Sequence, residues 1–429
     1  MLVQALYNVV DSIFVAKIGE NALTAVTLAF PMQNMMIALA AGTGVGINAL
    51  LSRSLGERRF DRSDEAANVG IFLTFMNFLL FLLMGIFLSR GFIASQTANE
   101  EIINDGTAYL GIVCTLSLGL FCQVTFERLL QSTGRTFFSM ISQLTGAIIN
   151  IIFDPILIFG LLGFPALGVA GAAYATVFGQ TVAAFLGLFL NIKYNPDIKI
   201  RISQIIKPKG DAIKEIYFVG IPSILMMSIG SLMTYLMNNI LIAFSTTATA
   251  VFGVYFKLQS FFFMPVFGMN NGLIPVLAYN YGAKKKDRID EALRFSLVLA
   301  VIIMSIGTIV FEAVPGLLLS MFSASEDMLS IGIPAMRIIA IHFPMAACSI
   351  VMGSIFQAFS KSIYSLIVSV GRQLIVLIPV AYLLALTGNL NAVWFAFPIA
   401  EVISLLLSLI FFKKVYGVTA GLLKGEEAE

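Results

Sequence analysis

Two stretches settle the architecture: Gly42-Thr43-Gly44-Val45-Gly46 leading into Gly56-Glu57-Arg58-Arg59-Phe60-Asp61-Arg62-Ser63-Asp64-Glu65-Ala66, and Gly268-Met269-Asn270-Asn271-Gly272 leading into Gly282-Ala283-Lys284-Lys285-Lys286-Asp287-Arg288-Ile289-Asp290-Glu291-Ala292. The constant shift that carries Gly42 to Gly268 superposes Gly42, Gly46, Gly56, Asp61, Arg62, Asp64, Glu65 and Ala66 on identical residues, and later pairs Gln131 with Gln357 and Ser139 with Ser365. Eight identities within 25 positions, glycines and charges among them, exceed what an apolar background supplies by chance. The chain therefore reads as two homologous halves.

The halves lie in a membrane. Of 429 residues, 59% are apolar and 12% charged, against roughly 45–50% and 25% in soluble domains. Mean hydropathy is +0.93 over the whole length, so many spans share the excess. Apolar runs long enough to cross a bilayer fall at 22–55, 67–90, 107–131, 136–162, 168–192, 213–244, 249–281, 293–322, 328–358, 362–387 and 391–412, with a shorter one at 1–16. Twelve crossings give about 36 residues each, which accommodates ~20 buried residues and a connection but no appended soluble catalytic domain. The expected fold is an all-α polytopic membrane protein of twelve transmembrane helices, in two six-helix lobes around a central cleft. An even number of spans per half makes this a parallel repeat.

Basic residues orient it. Sorting connections alternately puts 21 of the 26 Lys and Arg on one side, while the other side holds Lys17 and Arg90; the positive-inside rule then places both termini in the cytoplasm of a plasma (inner) membrane protein. The expected organisation is an N-terminal lobe over 1–192, a basic cytoplasmic linker over 193–211 containing Pro196 and Pro208, a C-terminal lobe over 212–415 and a cytoplasmic tail over 416–429. The run at 1–16 is short for a span, and carrying the start of the seventh span back by the repeat shift passes beyond Met1. A natural start some 15–20 residues upstream is therefore expected, as span length requires.

The remaining composition excludes other chemistry. Cys114, Cys122 and Cys348 sit in apolar runs and His342 is the sole histidine, so neither a disulfide framework nor a thiolate or histidine metal site is expected. A net charge of +2 gives no reason to expect nucleic acid, and no Gly-x4-Gly-Lys-[Ser/Thr] loop supports ATP-driven pumping.

Ionisable residues at bilayer depth are functional candidates by default, because each costs at least ~2.5–3.5 kcal/mol to insert. Tyr7 and Asp11 share a helix face at i, i+4, as do Asn150 and Asp154 ahead of Pro155. Their counterparts in the second half, Met237 for Asp11 and Val380 for Asp154, are apolar, so the site belongs to the first half. Two carboxylates with an amide and a phenol in low dielectric suit a proton or a sodium ion. The plainer reading is that each acid pairs with a base or caps a broken helix. Lys257 is a candidate for an acidic substrate group or a carboxylate partner; Arg337, Arg372 and Glu401 suit ion pairs inside the second half. Glu127 and Arg128, near a cytoplasmic end, are expected to snorkel, Glu312 to reach the external interface, and His342 to pack. Phe261 and Met264, beside Pro265, suit a yielding apolar cleft.

Tyr7-Asn8-Val9-Val10-Asp11-Ser12-Ile13-Phe14-Val15, Ala29-Phe30-Pro31-Met32-Gln33, Gly44-Val45-Gly46-Ile47-Asn48, Ser52-Arg53-Ser54-Leu55-Gly56, Leu130-Gln131-Ser132-Thr133-Gly134-Arg135, Asn150 through Phe159 and Gly168 through Thr176 together resemble the multidrug and toxic compound extrusion (MATE) transporters, prokaryotic type, over essentially the whole chain. The resemblance implies a two-lobed secondary exporter of organic, often cationic, amphipathic compounds in antiport with H⁺ or Na⁺. It also implies a cation site on Asp11, Asp154, Asn150, Tyr7 and Thr176, where Asp11, Asp154 and Asn150 act as metal ligands only if the ion is Na⁺. Residues expected at a substrate cleft are Gln33, Lys257, Phe261, Met264 and Arg337. No cofactor is expected; the partners are small-molecule drugs or organic cations and the lipid bilayer, and the chain is expected to work as a monomer. Relatives that use acids in the seventh and tenth spans find no counterpart here, since 212–244 and 328–359 lack a mid-membrane acid. The alternatives are a flippase for lipid-linked precursors, for which three intramembrane bases make a poorly cationic cavity, and a polytopic membrane enzyme, which scattered acids and one histidine argue against.

Overall fold

Between Asn21 and Ser52 the chain carries no charged residue. In hydrocarbon such a stretch must satisfy its own N–H and C=O groups, and a helix is the way to do so; α1 runs unbroken over Glu20–Gly56, with Pro31 inside it. The computed structural model describes residues 13–15, 17–322 and 325–424. After α1 come α2 (Phe60–Ala94), α3 (Glu100–Thr115), α4 (Leu118–Ser132), α5 (Thr136–Phe159), α6 (Val169–Tyr194) and the short α7 (Ile202–Ile206). They are followed by α8 (Gly210–Ile242), α9 (Thr246–Gly282), α10 (Lys286–Ala313), α11 (Pro315–Ser320), α12 (Glu326–Ala340) and α13 (Phe343–Ala358). Next is one interrupted rod, α14 (Ser362–Val370), a π-helical stretch Gly371–Leu377 and α15 (Ile378–Ala385). Helices α16 (Leu390–Trp394) and α17 (Ala396–Lys424) complete the order, and among the described residues there is no strand.

Nine spans are long and apolar enough to cross a membrane, and two bent pairs, α3 with α4 at 45° and α12 with α13 at 47°, raise the number to eleven among the described residues. These eleven correspond to the eleven long apolar runs of the sequence. Apart from residues 13–15, the short run at 1–16 lies outside the described residues, and so does the expectation about the chain's start. Large apolar side chains such as Phe87, Phe185 and Ile309 are exposed along the helices, as lipid contact requires and water does not favour.

The repeat is written in the backbone as well. Arg58 and its counterpart Lys284 both adopt positive φ (58° and 56°), and so do Gly134 (79°) and its counterpart Ser360 (57°). The two span breaks also recur at nearly the same shift, Leu116-Ser117 in the first half and Ile341-His342 in the second. Contacts divide the chain into two compact units, Met1–Ile224 and Leu225–Glu429. In the first unit one apolar cluster gathers Met32, Met36, Phe81, Tyr109 and Phe121, and another gathers Ile47, Leu51, Val69, Leu129 and Ile216. The second unit has an aromatic centre in which Phe252, Tyr255, Phe311, Phe343 and Trp394 are almost wholly buried and meet edge-on or stacked.

Candidate functional site

Helices α5 and α6 approach closely because small residues face each other. A Cβ on Gly179 would lie 2.6 Å from the Gly146 carbonyl oxygen and 3.2 Å from Asn150 Cβ, and one on Gly146 would lie 2.9 Å from Ala183 Cβ. Glycine pairs of this kind let helix backbones approach within a membrane. The approach sets Thr176 of α6 against Asn150 of α5. Asn150 Nδ2 donates to Asp154 Oδ1 at 3.2 Å and to Thr176 Oγ1 at 3.3 Å. Asp154 is wholly buried, Asn150 and Thr176 nearly so, and Asn150 Oδ1 has no hydrogen-bond partner among the described residues. Pro155 follows inside the helix and leaves the Ile151 carbonyl without its usual donor. The result, among the described residues, is a buried cluster of oxygen donors around the Asp154 carboxylate. Such a donor set suits a proton or a small hard cation and lacks the soft ligands of a transition-metal site. Among the described residues no three His, Cys, Asp or Glu side chains gather to hold a metal.

Of the five cation-site residues read from sequence, the structure thus brings together Asn150, Asp154 and Thr176; Tyr7 and Asp11 lie outside the described residues. The cleft candidates fall in both units. Gln33 is half-buried and donates to the Tyr109 hydroxyl at 3.1 Å. In the second unit Lys257 and Phe261 are exposed and Met264 is half-buried. Arg337 is exposed, donates to the Glu312 carbonyl at 3.2 Å and lies 3.9 Å from the Glu312 carboxylate. Arg372 pairs with Glu401 at 3.0 Å. His342 packs among Phe263, Phe343 and Phe397, with Nδ1 2.5 Å from the Ile339 carbonyl oxygen.

One expectation is corrected. Glu127 and Arg128 do not snorkel; both are buried. Gln123 donates to Glu127 at 2.9 Å, Arg128 donates to Gln131 at 3.0 Å, and Gln131 donates to Ser139 at 2.8 Å. Gly44 makes room for the arginine stem, since a Cβ there would come within 2.8 Å of it. The i, i+4 and i, i+3 spacing of Gln123, Glu127, Arg128 and Gln131 was the available signal.

Sequence reasoning also missed a clamp on the basic connection. Asp64 Oδ1 accepts the Lys199 N–H at 2.7 Å and Asn68 Oδ1 accepts the Arg201 N–H at 2.8 Å. Asn68 Nδ2 donates to the Lys199 carbonyl at 2.9 Å and to Gln204 at 2.8 Å. Arg135 closes the other end, on the Tyr194 carbonyl and on Asp197, each at 2.5 Å. The connection is thereby held along α2. In the second unit Asp290, the counterpart of Asp64, meets Lys286 at 2.7 Å and accepts from Tyr416.

A family model described as MatE matches residues 1–156 and 222–383. The chain is 25% identical over 400 residues to an FAD transporter of Shewanella oneidensis, covering 92% of this chain and 88% of that protein. It is 23% identical over 411 residues to the multidrug export protein MepA of Staphylococcus saprophyticus, covering 95% and 89%. Among solved structures, an outward-facing multidrug resistance MATE transporter of the MOP superfamily superposes with a TM-score of 0.90 at 24% identity, over 98% of this chain and 93% of that one. A second, from Pyrococcus furiosus and described by a reversed polarity of its binding pocket, gives 0.86 at 24% identity over the same shares. At these identities the superpositions speak for the fold.

Proposed function

We propose, since the chain belongs to the MatE family of transporters, that it expels small organic molecules in exchange for H⁺ or Na⁺ taken up at Asp154, Asn150 and Thr176 together with Asp11 and Tyr7. The chain is a multi-pass membrane transporter and not an enzyme. The observation that carries the proposal is the wholly buried Asp154 carboxylate, joined through Asn150 to Thr176 on a second helix. In low dielectric an ionised carboxylate is expensive, and a bound proton or sodium ion offsets its charge. The ion-free and ion-bound states then differ in the packing they favour between α5 and α6. That difference is what a coupling ion needs in order to shift a conformational equilibrium.

The cargo follows from relatives named for multidrug export. One named for FAD adds an anionic dinucleotide to the panel worth testing. The asymmetry of basic residues between alternate connections supports both termini on the cytoplasmic side of the plasma membrane. Energised cells carrying Asp154→Asn should retain the protein in the membrane and lose efflux of a cationic dye such as ethidium. The expected loss is about 5–150-fold, the usual range of a coupling free energy; unchanged efflux would sink the assignment.

A further inference from the structure

The two rods that correspond in the second unit to α5 and α6 carry a polar cluster of their own. The repeat maps Arg372 onto Gly146, one turn before Asn150, and Glu401 onto Ala175, beside Thr176. Each unit therefore buries one polar cluster between its last two spans, although the residues used are unrelated.

Glu401 lies near the start of α17 and is 2% exposed. Its Oε2 accepts a single hydrogen bond, from an Arg372 terminal nitrogen at 3.0 Å, and its Oε1 has no partner among the described residues. Arg372 stands in the π-helical stretch Gly371–Leu377, a geometry that appears mostly as single turns and often at functional sites. Its side chain is partly exposed, at 29%. A brace built for permanence would be bidentate, with both carboxylate oxygens satisfied. This pair leaves half of a buried carboxylate without a hydrogen bond, and a proton on Oε1 would remove the charge that burial penalises.

The polar row continues. Ser404 and Ser408 follow Glu401 on one side of α17 at i+3 and i+7, each 1% exposed, and neither hydroxyl has a partner among the described residues. The row spans about 10 Å of helix. Other ionisable groups near Glu401 come from the packed elements. Tyr255 of α9 donates to Gln259 at 2.6 Å, His342 precedes α13, and Cys348 lies within α13. All three lie within electrostatic reach of Glu401, and Tyr255 and His342 also within reach of Arg372.

We propose that Glu401 is a proton-binding site of the second unit, which on taking a proton from the aqueous phase at Oε1 loses its charge and releases Arg372. The site lies outside the coupling set proposed above and does not depend on it. Acid-minus-alkaline infrared difference spectra of the purified full-length protein test it through the C=O stretch of protonated carboxyl groups. Wild type should show a band on acidification that is absent in Glu401→Gln, shifted in Glu401→Asp and unchanged in Asp154→Asn. The pH profile of dye efflux should flatten in Glu401→Gln with its plateau retained. Arg372→Gln should change the pH at which the band appears, because the carboxylate's hydrogen-bond partner is gone. If Glu401→Gln does not accumulate as folded protein, Glu401→Asp and Arg372→Gln decide the matter alone. Identical spectra in wild type and these variants would overturn the inference and leave a fixed structural ion pair.

Discussion

In the proposed coupling, Asp154 acts through its neighbour's amide. Asn150 Nδ2 is shared between the carboxylate and the Thr176 hydroxyl, so a change at Thr176 should be felt by the ion without touching the acid. Thr176→Val removes the acceptor and keeps the shape. It should weaken apparent ion affinity by roughly 2–12-fold, the equivalent of one hydrogen bond, while Thr176→Ser holds near wild type; titration of efflux against H⁺ or Na⁺ reads the difference. Asp154 and Asn150 were legible in the sequence, because a carboxylate inside an apolar run announces itself and i, i+4 spacing fixes its partner. Thr176 was visible only through the family resemblance. Which hydroxyl of another helix faces Asn150 depends on the Gly146–Gly179 approach, and no local pattern encodes that. The burial of Glu127 and Arg128 was hidden for the same kind of reason: whether a long charged side chain snorkels or turns inward is decided by a space on another helix, here the one left by Gly44.

Helix packing gives sharper tests. Alanine at Gly179 would press on the Gly146 carbonyl and on Asn150, and overpacking of this kind costs about 1–3 kcal/mol. Gly179→Ala should therefore lower the Tm and impair efflux together. By contrast, a Cβ on Gly253 of α9 meets nothing within 4 Å, so Gly253→Ala should raise stability by roughly 0.5–1 kcal/mol. The tight connections after α1 and α9 place Arg58 and Lys284 at positive φ, a conformation that costs a side-chain-bearing residue about 1–2 kcal/mol. Arg58→Gly and Lys284→Gly should each raise the Tm, since both side chains are exposed. That these turns recur in both halves follows from the repeat, which the glycine and Asp-Arg matches disclosed. The 47° break at Ile341-His342 falls beside Pro344 in a run long enough for a kink to be expected, whereas nothing in the apolar run through Leu116-Ser117 marks the 45° one.

For the chain taken together, hydrophobic runs and the repeat were enough to read an all-α membrane fold with eleven of its spans in place, since hydrocarbon leaves the backbone few alternatives to a helix. The role of the basic connection was less legible. Proline and charge suggested a linker, whereas Asp64 and Asn68 bind it by four hydrogen bonds to its backbone and side chains. Asn68→Leu should speed hydrogen exchange at Lys199 and Arg201 by freeing that segment, as loss of its partners demands. A cysteine at Asp197 or Gln204 should be labelled in intact cells only by a membrane-permeant reagent if the basic side is cytoplasmic. Above all, export is held to be driven by an ion bound at the Asp154 site. Efflux of a cationic dye from proteoliposomes, under a pH gradient or a sodium gradient imposed separately, tests this by comparing wild type with Asp154→Asn. One of the two gradients should accelerate efflux by wild type and leave Asp154→Asn at its ungradiented rate; equal acceleration of both proteins would contradict the account.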